Sequence, residues 1–319
     1  MSDGSSGVRW RVKAFAQRTA ARLPSPLAHA CYYALQRATG SFRHHQLGAY
    51  LRAAEALDRH VRGQGGEITG ADVVEVGTGR RLTLPVLLWL LGARRVVTVD
   101  LHRYLRQSVC ALDLHALVAN GAIGGAPRMR RERLLALRDL LTRRWSLADL
   151  ADLCSIDYRA PADAAKLDLP DASVDYHVSF TVFEHIPGPS LRAILLEAGR
   201  VLRPRGLAIH LIDHSDHFSH SDLSISAINF LQFEDAEWAR LADNVFMYSN
   251  RMRVDDYVPL YASVNHEIVL AASERDLSLL AQLRRPSFHL ASRFRNKDPE
   301  SLVTLATWFV SRPRNPQVH

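Results

Sequence analysis

The sequence predicts an α/β protein, a doubly wound and mostly parallel sheet with an N-terminal helical cap and a lid insertion. Three observations predict it. From residue 71 onward, short β-branched runs alternate with helix-length apolar segments. The first run, "VVEVGTGRR" (73–81), ends in a glycine-rich turn, where a backbone comes close to a ligand. Ahead of it, residues 8 to about 62 have apolar positions three to four apart with arginines between them, a helical period.

Each element follows from its pattern. Residues 1–7 ("MSDGSSG") read as a small polar leader. "VRWRVKAFAQRTAARL" and "HHQLGAYLRAAEALDRHV" read as helices, with a break at "LPSPLAHACYYALQ" and Pro26 near a helix start. Such a basic amphipathic stretch can lie on a membrane, but its apolar face more commonly packs on a neighbouring domain. "DVVEVG", "RRVVTVDL", "VDYHVSF", "GLAIHLID" and "LVTLATWFV" read as strands. "LTLPVLLWLLGA" and "PSLRAILLEAGRVLRP" read as the intervening helices. The predicted division is residues 1–70 as cap and 71–319 as the ligand-binding domain. That domain carries insertions at about 121–150, arginine-rich and helical, and at 214–260, rich in His, Asp, Asn and aromatics. Insertions after strands in such folds commonly cover the site.

Composition narrows the partners. At 319 residues, 47% apolar and 23% charged, the chain reads as an ordinary soluble globular protein. The net charge of +7 is carried almost wholly by arginine, since Lys13, Lys166 and Lys297 are the only lysines. A basic surface favours acidic small molecules by steering. The arginines are scattered rather than clustered, which speaks against nucleic acid. The longest apolar run, Leu82 to Leu91, is about half the roughly twenty residues a bilayer needs. No secretory signal is evident, and Cys31, Cys110 and Cys154 lie too far apart for a metal-ligand motif. A cytoplasmic protein is expected, with a homodimer through the N-terminal helices allowed.

The glycine turn admits two ligand classes. A nicotinamide fingerprint wants a third glycine where Leu82 stands, though Asp100 ends the second strand as a ribose-binding acid should. The flanking residues point elsewhere. "EVGTG" (75–79) and "VDLHR" (99–103) resemble the first two motifs of class I S-adenosylmethionine-dependent methyltransferases of the small-molecule, type 11-like kind. "DAAKLDLPDASVDYHVSFTVFEHIP" (163–187) is similar to that family's segment around the fourth strand. "AGRVLRPRGLAIHLID" (198–213) is similar to the helix, turn and fifth strand that follow, with Arg205 where a glycine is common. The resemblance covers residues 71–213. It implies S-adenosylmethionine as cofactor, held by Glu75, Gly77, Thr78, Gly79, Asp100, Leu101, Asp163, Ala164, Phe180 and Thr181. Glu75 would lie beneath the turn, Asp100 would accept from the ribose hydroxyls, and Asp163 with Ala164 would read the adenine edge. Arg81 departs from the pattern, standing where a third glycine is frequent; its side chain either points away or pairs with the cofactor's carboxylate.

A hydroxyl acceptor needs a base, and histidine suits neutral pH. Position selects His185 after the fourth strand, and His214 and His217 in "IDHSDHFSHSD" after the fifth, with His214 or His217 the base and His185 orienting the acceptor or replacing them. His and Asp at these intervals can also ligate a metal, but no helical zinc pattern is present and no metal is expected. Trp238, Tyr248, Asn250, Arg251 and Arg253 mix aromatic and hydrogen-bonding groups as an acceptor pocket does. "YSNRMR" resembles a bacterial subgroup linked to glycans and specialised metabolites. The expected function is methyl transfer to a small molecule, with a hydroxyl of a sugar-like or specialised metabolite first. Nitrogen or carbon acceptors, a nicotinamide-dependent oxidoreductase, and a non-catalytic partner subunit are the alternatives.

Overall fold

The computed structural model describes residues 10–38, 45–119, 128–242 and 244–314. The polar leader at 1–7 and part of the 121–150 stretch lie outside them. In chain order the elements are α1 (Trp10–Ala20), α2 (Ser25–Ala38), α3 (Leu47–Gly63), β1 (Asp72–Val76), α4 (Thr83–Leu90), β2 (Arg95–Val99) and α5 (Gln107–Ala119). Then come α6 (Arg131–Thr142), α7 (Leu147–Cys154), β3 (Ile156–Arg159), β4 (Val174–Phe180), α8 (Gly188–Val201) and β5 (Leu202–Asp213). The chain closes with α9 (Asp235–Ala242), α10 (Val254–Ser263), β6 (His266–Arg275), α11 (Leu279–Leu283), α12 (Pro299–Leu302) and β7 (Thr304–Pro313).

The strands form one sheet in the order β3-β2-β1-β4-β5-β7-β6. The first five are parallel, while β7 runs antiparallel to both β5 and β6. Sequence patterning found neither β3, which is only four residues long, nor β6, whose residues are half-exposed and weakly alternating. The chain winds outward from β1 through β2 to β3, then jumps back to place β4 on β1's other side. That reversal opens a crevice at the carboxyl ends of β1 and β4.

Alternate strand residues feed two cores. Val73, Val96, Tyr176, Val178 and Ile209 face a layer made by α3 to α7. Val74, Val97, Val99, Ala208 and Phe309 face α8 and α10. Helix α4 is apolar after Thr83 and every residue of it is buried, as a helix sandwiched between others must be. Within the predicted cap, α3 is a core helix: Leu47, Ala54, Leu57 and Val61 pack in the main cluster. Helix α1 instead joins a third cluster, with Trp10 against Phe218 and Phe233. The 214–260 stretch divides similarly: its first half and α9 build that third cluster, while α10 buries Tyr257 and Tyr261 under the sheet. The arginine-rich stretch supplies α6 and the first half of α7, which form part of the crossover from β2 to β3.

One polar chain crosses the core. His177 Nδ1 of β4 lies 3.0 Å from His210 Nε2 of β5, and His210 Nδ1 lies 2.6 Å from the Tyr261 hydroxyl. Nearby, His266 Nδ1 is 3.0 Å from Ser311 Oγ. Burial pushes His177 down to about 3 and His266 down to about 4, so these imidazoles are neutral. No helix among the described residues is long and apolar enough to cross a membrane.

Candidate active site

A cleft of about 640 Å³ occupies the crevice. Its floor is the turn after β1. Gly77 has φ +90° and Gly79 φ +60°, both in the left-handed region that favours glycine. A Cβ on Gly77 would also stand 2.4 Å from Val182 Cγ2, so the turn needs glycine there on two counts. The Gly77 and Thr78 N–H groups donate to the Val99 carbonyl at 2.8 and 3.3 Å, locking the turn to β2. Beneath it, Thr98 Oγ1 donates to the buried Glu75 carboxylate and lies 2.5 Å from Thr78 Oγ1. Burial raises Glu75 to about 8, against the opposing hydrogen bond from Thr98.

Asp100 ends β2 at the rim. Its two oxygens accept from the Gly79 N–H at 2.8 Å and the His102 N–H at 2.9 Å, leaving further lone pairs toward the cleft. Leu101, 62% exposed, stands beside it. Asp163 and Ala164 close the far wall, Asp163 accepting from the Ala165 N–H at 2.9 Å. Phe180 and Thr181 line the end near β4, where Thr181 takes φ +51°. The structure therefore brings together Gly77, Thr78, Gly79, Asp100, Leu101, Asp163, Ala164, Phe180 and Thr181, with Glu75 directly under them.

Several lining residues were not legible in the sequence. Gln46 and Tyr50, at the start of α3, roof the cleft, and Tyr50 packs on Phe180 at 5.2 Å. Arg80 and Tyr104 stand at the mouth, where the Arg80 guanidinium lies over the Tyr33 and Tyr104 rings. Arg81 takes a position between the two it was offered. Its Nη1 donates to Asp113 Oδ1 at 2.7 Å, inside the protein, yet the residue lines the cleft and its buried Nη2 has no hydrogen-bond partner.

The acceptor-side expectations fare unevenly. Of the three histidines, only His185 lines the cleft. Its Nδ1 donates to the Tyr248 carbonyl at 2.8 Å, and its ring lies 4.8 Å from that of His217. His217 Nε2 stands 3.3 Å from Asp213 Oδ2. Burial alone would lower His217, but the Asp213 contact outweighs it and raises the imidazole. Asp213, whose other oxygen accepts from the Ser215 N–H and hydroxyl, is held well below the usual carboxylate range even though burial works the other way. His214 is corrected as a base. It is 3% exposed, its nitrogens face the Met252 carbonyl and Thr307 Oγ1 at 3.2 Å each, and burial with Arg253 pushes it down to about 3.

None of the expected acceptor set lines the cleft, although Trp238, Tyr248, Asn250 and Arg251 line a separate pocket of about 140 Å³ with Asp235 and Arg293. Arg253 is fully buried and donates to the carbonyls of His214, Ser301, Leu302 and Thr304, so no fork is left for a ligand. Arg251 donates to the Phe230 and Phe233 carbonyls and pairs with Asp235. Trp238 is part of the third core cluster. Asn250 donates to the Phe183 and Ile186 carbonyls at 2.8 and 2.9 Å, clamping the turn that carries His185. Aromatics beside arginines read alike whether they hold a ligand or a neighbouring loop.

Residues 143–210, from the end of α6 into β5, match the family model of a methyltransferase domain. Over those residues the chain is similar to a methyltransferase domain. Such domains use S-adenosylmethionine as methyl donor, and that cofactor is the ligand class the match favours for the glycine turn. Among curated proteins, none matches the chain. Similar solved structures include a protein from Pyrococcus horikoshii OT3, with 13% identity, 88% of this chain and 98% of that chain covered, and a TM-score of 0.46. Another is magnesium protoporphyrin IX methyltransferase from Synechocystis PCC 6803 with bound SAH, at 10% identity, 83% and 84% coverage, and a TM-score of 0.43. A third is an S-adenosylmethionine-dependent methyltransferase from Mesorhizobium loti, at 14% identity, 80% and 96% coverage, and a TM-score of 0.42.

Proposed function

We propose that this methyltransferase methylates a hydroxyl of a sugar-like or specialised small-molecule metabolite, acting as a soluble enzyme in a reducing compartment. The observation that carries the reading is a single cleft whose floor suits S-adenosylmethionine and whose β4 end opens on His185. The residues fit the cofactor. A Cβ would fill the space over Gly77, the Asp100 oxygens keep lone pairs for two ribose hydroxyls, and the orphaned Arg81 Nη2 answers a carboxylate. Asp163 and Ala164 would hold the adenine edge, and Leu101 its face. The bound cofactor supplies a sulfonium methyl: a C–O bond forms as the C–S bond breaks, and the electron pair returns to sulfur.

The chain's own part is alignment, water exclusion and proton removal. Tyr50, Phe180, Thr181 and Val182 enclose the methyl end. The acceptor's proton leaves toward the group of His185, His217 and Asp213. The Tyr248 carbonyl fixes the His185 tautomer, with Nε2 as acceptor. The three cysteines are free thiols, as a reducing compartment allows.

Calorimetric titration with S-adenosylmethionine, S-adenosylhomocysteine and NADH, followed by an acceptor screen for S-adenosylhomocysteine release, tests this reading. Micromolar binding of the two sulfur compounds alone and turnover on hydroxyl acceptors are expected. NADH binding, or turnover confined to amines, would refute it.

A further inference from the structure

Glu184, His185 and His217 each bring one ligand atom to within 4.8 Å of the others. The first two follow β4 and the third follows β5, so the sheet itself assembles the group. Glu184 is 3% exposed, and neither of its carboxylate oxygens has a hydrogen-bond partner. The N–H groups of Glu184 and Asp213 lie near it without reaching hydrogen-bonding geometry. A carboxylate buried without partners is strongly unfavourable, and it must take up either a proton or a cation.

Both imidazoles are also oriented from behind. His185 spends Nδ1 on the Tyr248 carbonyl, which leaves the Nε2 lone pair free to ligate. His217 turns Nε2 to Asp213 Oδ2, which leaves Nδ1 facing the other way. Asp213 is itself pinned by Ser215 at 2.8 Å from the N–H and 2.6 Å from Oγ. Carbonyl-backed and carboxylate-backed histidines are the arrangement that holds metal-bound imidazoles.

We propose that Glu184, His185 and His217 bind one divalent first-row transition-metal ion, with Asp213 and the Tyr248 carbonyl orienting the two imidazoles. Two imidazoles and one carboxylate suit zinc, cobalt, iron or manganese better than calcium or magnesium, which prefer oxygen sets. Three protein ligands leave a position open, and His185 puts the ion at the wall of the cleft. The role given to the ion, though not its binding, rests on the hydroxyl-methylation reading. An acceptor hydroxyl on the ion is acidified and releases its proton to solvent, so the ion replaces a free imidazole in that step.

The test uses the full chain, stripped with a chelator and titrated with Co²⁺ and Zn²⁺ by calorimetry and visible absorption, with S-adenosylmethionine titrated in parallel. One ion per chain at micromolar affinity or tighter is expected, with a higher thermal midpoint and the intense visible band of four- or five-coordinate Co²⁺. Glu184→Gln, which keeps the buried volume, and His217→Asn should each weaken ion binding at least tenfold while cofactor affinity holds. Cofactor binding without ion binding overturns the site and leaves the methyltransferase reading standing; ion binding without cofactor binding does the reverse. Wild-type ion affinity in Glu184→Gln also overturns the site. If both variants lose their fold, the wild-type spectrum decides, the pale band of hydrated Co²⁺ counting against the proposal.

Discussion

Around β1 and β2, the residues that suit the cofactor sit within a few positions of a strand end: Gly77, Thr78 and Gly79 after β1, Asp100 and Leu101 after β2. At the ends of β4 and β5, the group proposed to face the acceptor spans residues 184 to 217, and its props come from further away. Tyr248 backs His185, Asn250 clamps the turn before it, and Arg253 ties the end of β5 to the segment leading into β7. The first half is local in sequence and the second is a tertiary assembly. A local half is read from motifs. An assembled half shows its roles only when the partners of each polar atom are known.

Gly77→Ala strikes the local half hardest. It forces a side chain into a left-handed position against Val182, so about 3 kcal/mol of strain and a roughly 100-fold loss of S-adenosylmethionine affinity are expected by calorimetry. An affinity within a few-fold of wild type would mean the turn relaxes freely. Arg253→Met attacks the assembled half through stability. Four carbonyls lose their donor, and denaturant unfolding should register about 3 kcal/mol of destabilisation. Unchanged stability with a raised KM for the acceptor would return Arg253 to the ligand-binding set.

Asp100→Ala should weaken cofactor binding at least about tenfold through two lost hydrogen bonds. Since Asp100 also holds the Gly79 and His102 N–H groups, Asp100→Asn should retain part of the affinity, and equal losses in the two variants would speak against that tether. The mildest effect is of pH on the shared sheet. His177 and His266 are held neutral at about 3 and about 4, against about 6.5 in the unfolded chain. The unfolded chain takes up their protons first. Stability is therefore full above about pH 6.5 and falls below it, by about 1 kcal/mol per histidine per pH unit, until each folded value is reached. A His177→Gln variant should flatten that slope in unfolding titrations between pH 6.5 and 5; an unchanged slope would assign it to other groups.

The parallel core was legible because β-branched runs and amphipathic helices alternate at regular intervals from residue 71. Strand β3 escaped because four residues give no period, and β6 because it is bordered by a helix on one side and open on the other. Tyr50 and Gln46 escaped for a different reason. They belong to an ordinary amphipathic helix, and only the packing of α3 on α4 carries its first turn over the glycine loop. Arg81 stood where a glycine was expected, and the sequence left open whether its side chain points away or pairs with the cofactor's carboxylate; it meets an acid of the chain instead. Asp113, 32 residues on, is that acid.

Arg253 carries a consequence for the order in which the enzyme is made. Its guanidinium joins His214 to Ser301, Leu302 and Thr304, so this tie on the end of β5 cannot form until residues 301–304 have left the ribosome. The cofactor half draws its floor and walls almost entirely from residues before 195. During synthesis, a chain made as far as residue 195 already holds nearly all the groups that would grip the methyl donor, while the end of β5 is still without its Arg253 tie. Chains broken off before residue 300 would therefore retain donor recognition in part and lose turnover.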